Sequence, residues 1–356
     1  MTDILLSHAA VYPLMEPSDA VKLIYQATFG GGHLITDETA VLARIRAEYS
    51  SCKHVGIPIH IESLGCTSRI YLDSVSDDTE LEIIAKIFSA SAKYYSIGYS
   101  EASEQVRRLF SERLTLLRKL CGDGHFAFTP DKLDGYLGAY RSVGYPPVSH
   151  SDAYRIAYSP AYRVIDSRYV RLIGCIKSIA AHLKKSAERT VIAIDGRCAS
   201  GKSTAAKLIS DIFDAQIIHM DDFFLPPELR TPERLNEAGG NLHRERFLGE
   251  IIPHLHDETG FSYRPFDCSI RKYSNTPRRI EPCELIICEG SYSLHPSFGK
   301  YYDLAVFSDI SEDEQIRRIR ERDGEQMLTR FKNEWIPMEE AYFESFDIKS
   351  KCDLII

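Results

Sequence analysis

The sequence predicts an α/β protein: a parallel five-stranded sheet with helices on both faces, preceded by a mostly helical α+β domain. Three observations predict it. From Thr190 onward, five short apolar runs alternate with amphipathic stretches: TVIAI (190–194), QIIH (216–219), ELIIC (284–288), DLAVF (303–307) and DLII (353–356). Short, continuously apolar strands of this kind build parallel sheets covered by helices. A glycine-rich stretch, GRCASGKS (196–203), lies between the first of these strands and a helix expected over 204–212. Before Thr190 helical periodicity dominates, and the strand signal is confined to 59–72.

The bulk properties bound the rest. A chain of 356 residues suits two domains. The boundaries read as 1–150 for the helical domain, 151–188 for a connecting segment with a helix over 171–185, and 189–356 for the sheet domain. A net charge of −8 argues against a broad nucleic-acid face, which needs a basic stripe. The nine cysteines form no CxxC pair, so they read as reduced thiols rather than a zinc site or a disulfide framework. No apolar run approaches the ~20 residues of a membrane helix. The start, MTDILLSHAAVYPLMEP, is unlike a signal peptide, so a cytoplasmic location without a membrane partner is expected.

In the first domain, Ser18 and Asp19 read as the cap of a helix that runs through Val21, Leu23, Ile24 and Phe29 and stops at Gly30-Gly31-Gly32. Thr36 and Asp37 precede a second helix carrying Val41, Leu42, Ile45 and Tyr49 on one face. Amphipathic helices follow over 79–95, 101–120 and 130–140. The patch TFGGGHLITDE, with His33 beside three glycines, could in principle hold an anion on its backbone amides. It lacks GxGxxG spacing and a preceding strand, so it reads better as a helix stop. His54, His60, His125 and His150 are too scattered for a metal site. The stretch VSHSDAYRIAYSPAYRVID (148–166) concentrates Tyr154, Tyr158 and Tyr162 with Arg155 and Arg163. It reads either as a segment packing its tyrosines on a neighbour or as a ligand-facing surface.

The chemistry-bearing motifs lie in the second half. The stretch 196–203 fits GxxxxGK[ST] at every fixed position, in the strand–loop–helix context that the motif requires. Gly196 and Gly201 allow the backbone amides of Arg197, Cys198, Ala199, Ser200 and the following residues through Thr204 to face a polyphosphate, helped by the positive helix N-terminus. Lys202 can reach the β- and γ-phosphates and Ser203 can ligate Mg²⁺. The strand QIIH runs into Asp221 and Asp222, and ELIIC runs into Glu289. Carboxylates at the carboxyl ends of parallel strands lie where ligands bind, suited to taking a proton or holding a metal's water shell. Arg317, Arg318, Arg320 and Arg322 follow on one segment, with Arg318 and Arg322 sharing a helix face. They read either as guanidinium groups for a transferring phosphoryl group or as a solvated helix face.

Taken together, GRCASGKST, HMDDFF, ICEGSY, RRIRERD, FKNEWIPMEEAYF and CDLII resemble the uridine kinase and phosphoribulokinase family of P-loop kinases, over 190–356. The resemblance implies a P-loop NTPase-type sheet with ATP and Mg²⁺ as cofactors. It implies Asp221 as catalytic base, Lys202 and Ser203 as phosphate and magnesium residues, Glu289 as a Walker-B-like acid, and Arg318 and Arg322 in a lid. YRPFDCSIRKYS is similar to the family's substrate-side hairpin, with Phe266-Asp267 as its aromatic–acid pair. Asp222, His243, Arg246 and Asp267 are the residues expected toward the acceptor. Where uridine kinases carry an acid for the ribose hydroxyls, this chain has NLHRERF with His243, so the pocket is not expected to be built for ribose.

The function expected is ATP-dependent phosphorylation of a hydroxyl on a small-molecule acceptor, with a homo-oligomer left open. The alternative is an ATP-binding switch whose N-terminal domain binds a partner. Such a switch needs neither a base at Asp221 nor lid arginines.

Overall fold

The computed structural model describes residues 1–35, 38–52, 59–96 and 98–356. It divides into two compact units, Met1–Ile173 and Gly174–Ile356. No helix among the described residues is long and apolar enough to cross a membrane.

The first unit contains helices α1 (Thr2–Val11), α2 (Pro17–Phe29) and α3 (Glu38–Ser51), then strands β1 (Ile61–Ser63) and β2 (Thr67–Tyr71). Helices α4 (Asp78–Ala92), α5 (Glu104–Gly122), α6 (Pro130–Ser142) and α7 (Asp152–Tyr158) follow, and strand β3 (Tyr162–Asp166) ends it. Helix α2 is the hub: Val21, Leu23, Ile24 and Phe29 are fully buried and pack with Phe110, Leu117 and Leu133 of α5 and α6. Its start differs from the sequence expectation. Glu16 takes the cap position, Pro17 the first turn, and Asp19 sits at the third helical position, accepting from the Glu16 amide at 2.8 Å. A proline's preset φ favours that first-turn place and moves the cap back by two residues. The helix stops at Gly30, whose φ of 64° lies in the left-handed region. Thr36, Asp37 and His54 lie outside the described residues.

The expected connecting segment 151–188 does not stand apart. Ser151 caps α7 by accepting from the Tyr154 amide at 3.1 Å, and β3 pairs antiparallel with β2, completing a sheet of order β1-β2-β3. Tyr154 is buried and packs on Tyr12, Tyr158 and His150. These tyrosines therefore pack within the first unit, and the break between units falls at Ile173/Gly174.

The second unit opens with α8 (Ile173–Leu183), β4 (Thr190–Gly196), α9 (Lys202–Phe213) and β5 (Gln216–His219). Next come two short helices, α10 (Pro232–Leu235) and α11 (Arg244–Glu250). Two small hairpin pairings follow: β6 (Phe261–Tyr263) with β9 (Arg278–Ile280), enclosing β7 (Phe266–Asp267) with β8 (Lys272–Tyr273). Strands β10 (Leu285–Glu289) and β11 (Leu304–Ser308), helices α12 (Glu312–Arg330) and α13 (Ile336–Phe346), and strand β12 (Leu354–Ile355) complete it. Among the described residues the main sheet has five strands in the order β12-β11-β4-β10-β5, all pairs parallel, with β4 central.

Alternation along β4 divides its side chains between two layers. Val191 and Ala193 join a cluster with Ile286, Cys288, Phe307, Tyr342 and Phe343, which places α13 on that face. Ile192 and Ile194 are equally buried but lie outside that cluster, as do Ala205, Ala206, Leu208 and Ile209 of α9, which covers the other face. Every strand therefore delivers its carboxyl end to one edge, where ligands of open α/β sheets bind.

Candidate phosphate-binding site

Strand β4 ends in Gly196, whose φ is 135°; a Cβ there would lie 2.1 Å from the carbonyl oxygen of Ser308 on β11. Only glycine allows the loop to leave the sheet at that point. Gly201, with φ 97°, starts α9 and offers no side-chain cap, so the first amides of α9 lack a capping side chain at Gly201. The Lys202 ammonium folds back over the loop and donates to the carbonyls of Gly196 at 2.7 Å and Arg197 at 2.9 Å. The Ser203 hydroxyl donates to Glu289 Oε2 at 3.2 Å.

The loop is buttressed by groups outside the GxxxxGK[ST] motif. Asp195, fully buried at the end of β4, accepts from the amides of Gly196, Tyr292 and Leu294 and from the Tyr342 hydroxyl, at 2.7, 3.1, 3.0 and 2.8 Å. Burial pushes its pKa up to about 6, although the Leu294 amide, the Tyr342 hydroxyl, the Gly196 amide and the Lys202 charge favour the charged form. Glu339 on α13 accepts from the Cys198 amide at 2.8 Å and from the Ser291 hydroxyl at 2.5 Å. Arg197 spans Glu340 at 2.6 Å and Asp309 at 2.8 Å, and Gln315 donates to the Cys198 carbonyl at 3.0 Å. Arg197 and Cys198 thus anchor the loop through their side chain and backbone. Burial, with Glu339 beside it, raises the Cys198 thiol, which keeps it protonated. An acid directly before Gly196 is visible in the sequence. Glu339 is 141 residues from Cys198 and 48 from Ser291, so its role could not have been read locally.

Opposite the loop stands an acidic edge. Glu289 and His219 are register partners on β10 and β5, and the imidazole Nδ1 contacts Glu289 Oε1. That contact raises the His219 pKa. Asp221 follows β5 and is solvent-exposed as a residue, although neighbouring groups desolvate its carboxyl. Burial raises its pKa, with the Glu289 charge adding to the shift and Lys202 and His219 opposing it. Asp222 points the other way: it is 8 % exposed, accepting from the Tyr263 hydroxyl at 2.7 Å and from Arg278 at 2.6 Å. Ser203 and Glu289 offer hard oxygen donors side by side at the loop's end, which suits Mg²⁺, an ion that keeps several waters and takes phosphate oxygens. Among the described residues no three His, Cys, Asp or Glu side chains cluster as a self-sufficient metal cage.

The residues expected toward the acceptor are placed unevenly. His243 bonds through its backbone amide to Phe223 O at 2.7 Å, with its Nδ1 3.2 Å from Glu245. Arg246 lies over the rings of Phe223 and Tyr273 and donates to Glu250 at 2.7 Å and to the Arg264 carbonyl at 2.6 Å. It therefore joins α11 to the hairpin region. Asp267 turns onto its own loop, accepting from the Ser269 amide at 2.8 Å, and its exposed carboxylate is held below its ordinary pKa by the Ser269 side chain and amide. Of the two arginines expected in a lid, Arg318 reaches the loop, with Nη1 3.3 Å from Ala199 O and Nε 2.8 Å from Glu314. Arg322 does not: it pairs with Asp323 at 2.8 Å and lies over Phe331. Helix α12 breaks between them and the next turn, at Gly324, where φ is 81°.

No family model and no curated protein matches the chain. Among solved structures, one described as a possible uridine kinase from Bacillus stearothermophilus is similar to it at 20% identity and a TM-score of 0.42, over 53% of this chain and 98% of that one. Another, described as a candidate fructose transport system kinase from Silicibacter sp. TM1040, is similar at 18% identity and a TM-score of 0.43, over 51% of this chain and 97% of that one.

Proposed function

We propose that the second unit is an ATP-dependent kinase that phosphorylates a hydroxyl of a small metabolite. The observation that carries this reading is the meeting, at one sheet edge, of a glycine-rich loop bearing Lys202 and Ser203 with Glu289 and a solvent-facing Asp221. A site that only holds a nucleotide has no need of a carboxylate with a raised pKa that faces solvent beside the phosphate loop.

In this reading the amides at the start of α9 bind the phosphates, and Lys202 leaves the Gly196 and Arg197 carbonyls to neutralise the γ-phosphate. Ser203 and Glu289 hold the metal position, Glu289 being oriented by His219. When bound, Mg²⁺ supplies charge neutralisation on the β- and γ-phosphates. Asp221 takes the proton of the acceptor hydroxyl, that oxygen attacks the γ-phosphorus, and the bond to the bridging oxygen breaks to release ADP. Arg318, already beside Ala199, stabilises charge spreading over the transferring group.

The test is ADP release from Mg·ATP across a library of hydroxyl-bearing metabolites, followed by the mass of the product. A kinase turns over with a particular acceptor and yields its phosphomonoester. Slow hydrolysis indifferent to every acceptor would favour the nucleotide switch instead.

A further inference from the structure

The first unit has a polar network of its own. Arg69 is fully buried and donates to Gln26 Oε1 at 2.7 Å and to Glu62 at 3.1 Å, under the Tyr162 ring. Glu62 also accepts from Tyr71 at 2.8 Å and meets His8 Nδ1 at 2.7 Å. Asp19 is fully buried and saturated: it accepts from the Glu16 amide, the Ser151 amide and hydroxyl, and meets His150 Nδ1 at 2.8 Å. Both carboxylates are thus consumed inside the unit.

Above this network opens a pocket of about 380 Å³, lined by Lys22, Ser149, His150, Arg155, Ser159 and Pro160. Its volume falls within the usual range of small-ligand sites. The charges that face it are positive. Lys22, on α2, donates to the Val148 carbonyl at 2.8 Å, and among the described residues no carboxylate lies within ion-pair distance of it. Arg155, on α7, pairs among the described residues with the exposed Asp152 at 3.8 Å, a loose surface pair of little strength. His150 is engaged on both ring nitrogens, by Asp19 and by the Tyr162 hydroxyl at 2.6 Å, and forms a fixed wall. Serine hydroxyls complete the rim.

We propose that this pocket is a binding site for the phosphate monoester of a small metabolite. Two cations, one outside ion-pair distance of any carboxylate among the described residues and one only loosely paired, match the two negative charges of a phosphate monoester better than the single charge of a carboxylate. The guanidinium fork and ammonium point charge are the usual pair for phosphate oxygens. The pocket has room beyond the phosphate for the rest of the ligand. Burial, together with the nearby Arg69 and Arg155 charges, lowers Lys22 to about 8, with Asp19 opposing them, and a bound dianion would add counter-charge beside the ammonium. The inference rests on the first unit alone and stands whether or not the second unit is a kinase.

The test is amide hydrogen exchange on the full chain, read at the peptides covering 148–160, with inorganic phosphate, glycerol 3-phosphate and acetate as probes. Glycerol 3-phosphate should slow exchange there at lower concentration than inorganic phosphate, and acetate should not. Lys202→Ala, which disables the other phosphate site, should leave this protection intact. Arg155→Gln, at an exposed position that does not threaten folding, and Lys22→Met should each raise the glycerol 3-phosphate concentration required by about tenfold, the worth of one charge-assisted hydrogen bond. No protection at 148–160, or protection unchanged in Arg155→Gln, would overturn the site. Protection by acetate equal to that by glycerol 3-phosphate would overturn the phosphate assignment, and equal action of inorganic phosphate would overturn the monoester.

Discussion

The Ser203 hydroxyl lies 3.2 Å from Glu289 Oε2, across the gap between the first turn of α9 and the end of β10. Two parallel strands and one helix N-terminus have to be in register for that contact. The same register brings His219 against Glu289 and leaves Asp221 at the solvent side.

Lys202→Ala should lower kcat by roughly 10²–10³-fold, the loss seen when one donor to a developing negative charge is removed. The melting temperature should change less than turnover, because the Lys202 ammonium bonds the Gly196 and Arg197 carbonyls and the Gly196 carbonyl keeps the Ser291 hydroxyl as a second donor at 3.4 Å. Acceptor-dependent ADP release and thermal melting of the same preparation check both halves. Near-normal turnover would remove the loop from the mechanism.

Asp221→Asn and Asp222→Ala should separate chemistry from stability. Asp221→Asn should reduce kcat by roughly 10²–10⁴-fold with ATP affinity nearly unchanged. Asp222→Ala should destabilise the second unit by about 1–3 kcal/mol, since the buried Tyr263 hydroxyl loses its acceptor. Arg278 is partly exposed and water can replace that partner. If Asp222→Asn is inactive and Asp221→Asn is active at saturating Mg·ATP, the roles are reversed. If both retain full activity, His243 is the next base to test.

The pH profile follows from the raised pKa of Asp221. Burial and the Glu289 charge disfavour its carboxylate, with Asp222 adding to them and Lys202 and His219 opposing. A raised carboxyl loses its base form as pH falls through the raised value. The acid limb of kcat/KM should therefore lie above the ordinary aspartate value of about 3.9. Asp221→Asn should abolish that limb. A limb at or below the ordinary value would assign the base elsewhere.

Asp195→Ala should cost about 3–5 kcal/mol, because three buried amides and the Tyr342 hydroxyl lose their acceptor together. The linkage has a definite sign. With the folded pKa at about 6 and the unfolded one at 3.8, the folded state holds the extra proton between them. Stability from this group is greatest below 3.8 and declines as pH rises toward 6. Urea melts of wild type and Asp195→Ala across that window measure the difference; a pH-independent difference would contradict the raised value.

Arg318→Ala should reduce kcat more than Arg322→Ala. Arg318 already sits 3.3 Å from the Ala199 carbonyl, whereas Arg322 faces Asp323 and Phe331. Each variant is compared at saturating acceptor. Equal losses would mean that the segment turns about Gly324 when substrate binds, bringing both arginines to the loop.

The sequence by itself determined what depends on chain-local patterns. Five apolar runs became the five parallel strands; the three central ones, β4, β10 and β11, are buried along almost their whole length and are therefore largely apolar. The loop 196–203 was legible because its glycines, lysine and serine act through backbone turns and helix geometry set within eight residues. Asp221 and Glu289 were legible as acids at strand ends. Tertiary structure decided everything that joins distant segments. It turned Asp222 inward to Tyr263 and Arg278, and it separated Arg318 from Arg322 although both share a helix face. It set Asp195 and Glu339 as anchors of the loop, and drew 152–166 into the first unit through β-pairing with Thr67–Tyr71. Periodicity fixes which face of an element is apolar, but a polar side chain takes its role from the donors and acceptors that folding brings to it, and those come from elsewhere in the chain.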